Sequence, residues 1–398
     1  MAHQEDSDRS VGAALFLFRG GPFYLLQQAL GFIGPRGDVR ARRAPVLVLI
    51  AWLPLVVLGA LQGRAVGPTP GESVLLDLAV AVRFLVALPL LLLAENLADQ
   101  GVIRVAKQFV DGGLIKARDG EALDLAAARA LRMRDSWLAE AVMLGIAVLA
   151  STAFLQGELG SGEPSWRSIG AGEARSLSLA GWWAMLASAP LFVFVLLRWL
   201  WRLVMWTVLL WRIATLDLAI AAGHPDGAGG LGFLSLAPLP FLTVVFALSV
   251  ALAGAWGTAY LHRGVDPRVH LGALAIFVGL AALLLLIPVF AFLWPLARAR
   301  RAALLGYQAL GSGLARSFEA RWVDEPASDA ARLLESPDAS ALADFTAVFG
   351  TVRNMNALPL GLPTLVGVAV AAGLPMLPLV AAVVPLPSLL GQLAKALL

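Results

Sequence analysis

Long apolar runs alternate with short polar segments along the chain, and seven runs reach membrane-spanning length, near 45–62, 74–95, 139–156, 179–198, 234–260, 271–297 and 362–384. A hydrocarbon core about 30 Å thick requires about 20 helical residues at about 1.5 Å each. Because backbone polar groups must be satisfied internally in lipid, the pattern predicts an all-α, polytopic transmembrane bundle of about seven spans. The seventh run is broken by Pro363, Pro375, Pro378, Pro385 and Pro387, which leaves open a last span or a re-entrant hairpin. In the fourth, Arg198 and Arg202 lie at i, i+4, and Trp199, Trp201, Trp206 and Trp211 follow as an interfacial aromatic run on a helix that leaves the bilayer.

Between the spans the period changes. Residues 22–33 (PFYLLQQALGFI) place apolar side chains on one side of a short helix, which suits either a membrane-surface helix or a leader packed on the bundle. Segment 99–138 reads as two amphipathic helices broken at Gly112-Gly113 and Asp119-Gly120. Residues 296–320 continue the sixth span as a stalk, and Asp338-Ala339-Ser340 supplies a cap for a helix ending near Met355. The expected organisation is a cytoplasmic segment 1–44, a membrane bundle 45–298 that includes the arm 99–138, a second cytoplasmic arm 299–361, and a last span or hairpin with its tail, 362–398. Both arms follow hairpins of spans, and spans 1 and 5 begin with APVLVLI and APLPFLT, which suggests a parallel duplication.

Composition agrees with the pattern: 59% of residues are hydrophobic, 14% are charged and mean hydropathy is +0.79. The formal charge of +3 does not point to nucleic acid, because basic residues gather on one side of the bilayer for topological reasons. Segments 1–44, 96–138, 198–233 and 298–361 hold 23 of the 30 Lys and Arg, the opposite segments hold 6, and Arg83 lies within a span. Under the positive-inside rule the N-terminus is inside and the location is a bacterial cytoplasmic (inner) membrane. The absence of cysteine excludes thiolate metal sites and disulfides. His262 and His270 flank Gly264 and Pro267, whose backbones break the spacing a metal pair needs, so neither a metal nor a cofactor is expected.

The run HPDGAGGLGFL contains Gly227, Gly229 and Gly232 in the spacing G-x-G-x-x-G. A dinucleotide loop requires a preceding strand, and here a Trp- and Leu-rich helix precedes it, so that reading fails. Two readings remain for His224, Asp226, Gly227, Gly229, Gly230 and Gly232. The loop either presents amide groups to an anion or lipid headgroup, or lets the chain re-enter the membrane tightly with Asp226 as a cap. Together with RWLWR, WRIATLDL, RFLVALPLLLLAE (83–95) and SPDASALADFTAVFGTVRNM (336–355), this run resembles an uncharacterised family of bacterial polytopic integral membrane proteins carrying an HPD-x-x-GGLGFL signature. The resemblance spans most of the chain; it implies a shared fold and supplies no activity.

Charges within the spans are the remaining chemistry. Asp77 and Arg83 fall in the second run, with Arg83 about 15 Å from its outer end by helical rise. Glu95 and Glu140 fall near the inner ends of spans 2 and 3, within reach of basic residues such as Arg132 or Arg134. Ionisable groups at depth either line a path or clamp helices together. The leading expectation is therefore a channel or transporter for a small solute or ion, with Arg83, Asp77 and Glu95 as candidate pathway residues. The alternatives are a non-catalytic scaffold or regulatory subunit, and an enzyme acting on lipid headgroups through His224 and Asp226. No catalytic residue is assigned, since those two groups alone do not converge into a site. Expected partners are membrane lipids, a second copy of the chain, and a cytoplasmic protein bound through 99–138 and 299–361.

Overall fold

The computed structural model describes residues 19–34, 42–160, 163–170, 175–324, 333 and 336–383. The polar leader, the apolar patch after it and the C-terminal tail lie outside the described residues.

Among the described residues, seven helices are long and apolar enough to cross a membrane: span 1 (Arg43–Leu61), span 2 (Leu78–Asp111), span 3 (Trp137–Gly160), span 4 (Leu179–Ala214), span 5 (Gly232–Arg263), span 6 (Pro267–Phe290) and span 7 (Leu362–Ala382). The protein is an α-helical integral membrane protein. Its outward faces carry exposed Leu, Val, Ile and Trp, and its interior is built on close approach of small residues, among them the fully buried Ala51, Ala87, Ala94, Ala98 and Ala180. The seventh run is a single kinked span, helical over Leu362–Gly373 and Leu377–Val383 with a tight turn at Leu374–Met376 around Pro375. A two-residue antiparallel ribbon pairs Ser168 with Leu177 and Ile169 with Ser176 in the loop before span 4.

Spans 2 and 4 are built alike. Each opens on a side-chain cap, Asp77 accepting from the Val80 amide and Ser178 from the Gly181 amide. Each then runs five α-helical residues and one wide π-type turn, Arg83–Ala87 and Ala184–Ser188, before continuing as a long helix with proline at its second position, Pro89 and Pro190. A proline ring collides with the carbonyl four residues before it and donates no hydrogen bond, and widening the preceding turn relieves both faults. The correspondence extends through DLAVAVRFLVALPL and SLAGWWAMLASAPL, so the clearest internal similarity links spans 2 and 4.

Other breaks are sealed by side chains from neighbouring spans. Pro54 deprives the Ile50 carbonyl of its helical donor, and the Trp183 indole N–H donates to that oxygen at 3.1 Å. Ser188 donates to the Ala51 carbonyl at 2.6 Å, Ser249 to the Ala372 carbonyl at 2.5 Å beside the kink of span 7, and Trp211 to the Ile287 carbonyl at 3.2 Å near the end of span 6. The Trp183 bond satisfies an oxygen that lipid would leave unpaired.

Spans 2 and 4 continue past the start of span 1, and the arm helix Gly120–Arg134 packs along the end of span 4. The second arm is an out-and-back pair, Leu293–Trp322 and Pro337–Arg353, closed by Tyr307, Phe345 and Phe349 stacking in series. Its return helix is capped by Ser336, whose hydroxyl accepts from the Asp338 amide, two residues earlier than the expected start of the cap. Asp338 lies in the first turn instead, where its carboxylate receives Trp322 and Arg321.

Candidate functional site

The largest concentration of buried charge among the described residues lies where the starts of spans 1 and 3 meet the middle of spans 2 and 4. Glu95 sits 17 residues into span 2, about 26 Å along the helix, where the run of leucines ends. Arg43 opens span 1 and is buried because that helix starts against span 2; Arg198 and Arg202 are buried because span 4 packs along span 3 and also meets span 2. The Glu95 carboxylate lies 2.5 Å from Arg43 Nη1, 2.8 Å from Arg202 Nη2 and 3.8 Å from Arg198 Nη1. Arg198 Nε reaches Glu140 Oε1, on the first turn of span 3, at 3.5 Å. Two aromatic faces complete the surroundings, Phe23 4.7 Å from the Arg198 guanidinium and Trp199 4.8 Å from that of Arg202. Among the described residues, three guanidiniums here face two carboxylates.

The chain before span 1 closes over this network. The Phe23 amide donates to Glu140 at 2.6 Å, the Gly21 amide to Asp135 at 3.1 Å, and Arg134 to the Arg19 carbonyl at 2.9 Å, while Arg19 pairs with the buried Asp99 of span 2. The approach requires glycine at position 21: its φ is +87°, and a β-carbon there would sit 3.0 Å from both the Arg134 carbonyl and the Glu140 carboxylate. A cavity of about 20 Å³ remains between Gly20, Arg134, Glu140, Arg198 and Arg202. That is room for about one water among polar partners. The hydrogen bonds from Arg134 hold the Asp135 carboxyl below the usual carboxylate range.

The candidate pathway residues do not form one site. Asp77 is not at depth: span 2 begins at Leu78 and Asp77 caps it, because a carboxylate can accept there the amide bonds a helix start leaves open. It also receives the Trp166 indole at 2.9 Å and Arg167 at 3.2 Å, and Arg167 reaches Glu158 at 2.8 Å. Arg83 is consequently about 8 Å from the outer end of the helix rather than near the midplane. Its guanidinium lies 5.7 Å from the Phe192 ring centroid, and it makes no ion pair among the described residues. Glu95 alone belongs to the inner network. Its partners, and those of Glu140, are not Arg132 or Arg134, because Arg132 projects from the arm helix and Arg134 turns to Asp135 and Arg19. The missed residues are Arg43, Arg198 and Arg202; the signal for two of them was the i, i+4 arginine pair inside an otherwise apolar run.

The glycine-rich loop closes on itself. Asp226 accepts from the amides of Ala228 at 2.8 Å, Gly230 at 3.1 Å and Gly232 at 2.8 Å, and His224 Nδ1 lies 2.9 Å from its carboxylate. The donors that such a loop offers to an anion are engaged by its own carboxylate. Burial works to raise the Asp226 carboxyl, and the bonds from Ala228, Gly232, Gly230 and His224 outweigh it and hold the group below its usual range. Gly227, Gly229 and Gly230 have φ of +62°, +66° and +93°, and Gly229 meets Ile220 and Met355. Asn356 donates to the Gly227 carbonyl at 2.8 Å, which ties the second arm to the loop. A crevice of about 300 Å³ beside it is lined by Gln108, Leu114, His224, Asp226 and Phe233.

In comparisons with protein families, curated proteins and solved structures, nothing matches the chain.

Proposed function

We propose that this protein is a channel or transporter of a bacterial inner membrane, and that its substrate is a small anion. The observation that carries the reading is the inner network, in which Arg43, Arg198 and Arg202 outnumber Glu95 and Glu140 within a helical bundle. Guanidiniums held within a bundle are costly, and a small anion beside three of them would lower that cost. The cavity against Arg198 and Arg202 would take the ion, the segment Arg19–Phe23 covers that cavity from the inner face, and the wide turns of spans 2 and 4 supply give in the two helices that carry most of the charge. The test is flux through proteoliposomes loaded with an anion-sensitive dye. The full chain should admit a small anion such as chloride or nitrate, and Arg202→Gln should reduce the rate at least about tenfold, which corresponds to about 1.4 kcal/mol. Rates equal to those of protein-free vesicles for inorganic anions and small carboxylates would sink the reading.

A second reading is favoured by one observation. Two crevices, about 450 and 440 Å³, are apolar and open between spans 2, 5 and 7 and between spans 4, 5 and 6, and neither is lined by Arg83, Asp77 or Glu95. A scaffold or regulatory subunit, its charges serving as clamps and its arms binding a cytoplasmic partner, needs no path. Absent flux together with capture of one defined partner by the arms would establish it.

A further inference from the structure

We propose that the crevice between the arm helix Gly120–Arg134 and the end of span 4 binds the phosphate of an anionic phospholipid headgroup. Arg129 and Arg132 lie three residues apart on one face of the arm helix, and Arg212 faces them from the last turn of span 4. The three guanidiniums line one cavity of about 290 Å³ together with Leu125, Ala126 and Leu216. None of them forms an ion pair among the described residues, whereas the nearby Asp217 is already held by Lys116 and Arg118.

Depth selects lipid over a soluble anion. The Trp211 indole donates to the Ile287 carbonyl, so the end of span 4 is level with the inner end of span 6. Arg212 therefore sits where apolar chain gives way to headgroups. Trp211 is 52% exposed and Leu125 is 68% exposed, which provides amphipathic and apolar surface at the mouth of a basic cavity. Basic pockets between helices at the cytoplasmic side are the places where anionic headgroups lodge, and the positive-inside bias assigns this face to the cytoplasm. The inference does not depend on the transport reading.

The test is native mass spectrometry of the full chain in detergent, titrated with phosphatidylglycerol, with phosphatidylcholine and with inorganic phosphate. Phosphatidylglycerol should be retained and phosphatidylcholine should not. Arg129→Gln/Arg132→Gln/Arg212→Gln should weaken phosphatidylglycerol retention on the order of 100-fold. The matching triple lysine variant should keep most of it, and Arg263→Gln/Arg268→Gln on the opposite face should keep all of it. A thermal midpoint close to that of the unaltered chain shows that the glutamine variant is folded. Equal retention of both lipids, or unchanged binding in the folded glutamine variant, overturns the proposal. Displacement of phosphatidylglycerol by excess inorganic phosphate, with phosphate itself retained, overturns the lipid source in favour of a free anion.

Discussion

Trp183 in span 4 donates its indole N–H to the carbonyl of Ile50 in span 1 at 3.1 Å, and Ile50 is the residue whose helical donor Pro54 removes. The bond and the proline are therefore coupled. Trp183→Phe should cost about 0.6–1.7 kcal/mol, the range of interhelical hydrogen bonds within a bilayer. In a Pro54→Ala background, where residue 54 supplies its own amide, the same substitution should cost clearly less. Unfolding by a denaturing detergent, run as a double-mutant cycle, measures the difference; equal costs in both backgrounds would show that the indole contributes packing only.

Removal of the Glu95 carboxylate strands the guanidiniums gathered around it. Glu95→Gln should destabilise the bundle by about 3–5 kcal/mol, the range found when one member of a buried ion pair is lost. Arg202→Gln in the same chain should recover part of that loss, since it removes one of the stranded charges. A double variant no more stable than the single one would mean that Arg43 and Arg198, rather than Arg202, dominate the field at Glu95.

This network also marks the limit of what sequence discloses. Hydrophobic run length identifies the spans, because lipid imposes a minimum length on each, and the breaks at Gly112-Gly113 and Asp119-Gly120 match the helix ends at Asp111 and Gly120. Run length does not fix where a helix starts: leucines flank Asp77 on both sides, and only its role as a cap moves it out of the span and carries Arg83 outward with it. Nor does it identify partners. Arg43 belongs to the positive-inside tally on sequence grounds and becomes the nearest partner of Glu95 only when spans 1 and 2 pack. Asp226, by contrast, is readable as a capping residue within its own loop, because all its donors are local.

That loop has a defined pH response. The folded Asp226 carboxyl lies below its usual range, so the stability it contributes is complete above the unfolded value of about 4 and is lost as pH falls through the lower folded value. Amide exchange at Ala228, Gly230 and Gly232, corrected for intrinsic rates, should show protection that is constant between about pH 7 and 5 and collapses below about pH 4. Asp226→Asn should lower that protection near neutrality and remove its dependence on pH. Loss of protection near neutrality in the unaltered chain would remove Asp226 from this role.

Gly229 tests the contact between loop and arm. At φ +66° a β-carbon is strained by about 1–2 kcal/mol, and here it would also press on Ile220 and the terminal methyl of Met355. Gly229→Ala should therefore loosen the return helix Pro337–Arg353 and speed its proteolysis, while Gly227→Ala, with open space around its β-carbon position, should register backbone strain alone. Equal proteolysis rates in the two variants would show that Met355 does not fasten the arm at this point.

Arg83 offers the sharpest separation between depth and importance. Its guanidinium has an aromatic face at 5.7 Å and no ion pair among the described residues, so the side chain bears a desolvation cost with little return. A central arginine costs about 2.5–3.5 kcal/mol on insertion scales, and one about 8 Å from the outer end costs less. The contact with Phe192 returns about 0.5–2 kcal/mol of that. Arg83→Leu should thus leave the unfolding midpoint unchanged or raise it, the opposite sign to Glu95→Gln. It should also leave anion flux in proteoliposomes within about twofold of the unaltered chain, a difference of about 0.4 kcal/mol, because the proposed site lies about 18 Å further along span 2. A loss of flux comparable to that of Arg202→Gln would move the path to Arg83 and make the outer half of span 2, with its wide turn, the place where the solute passes.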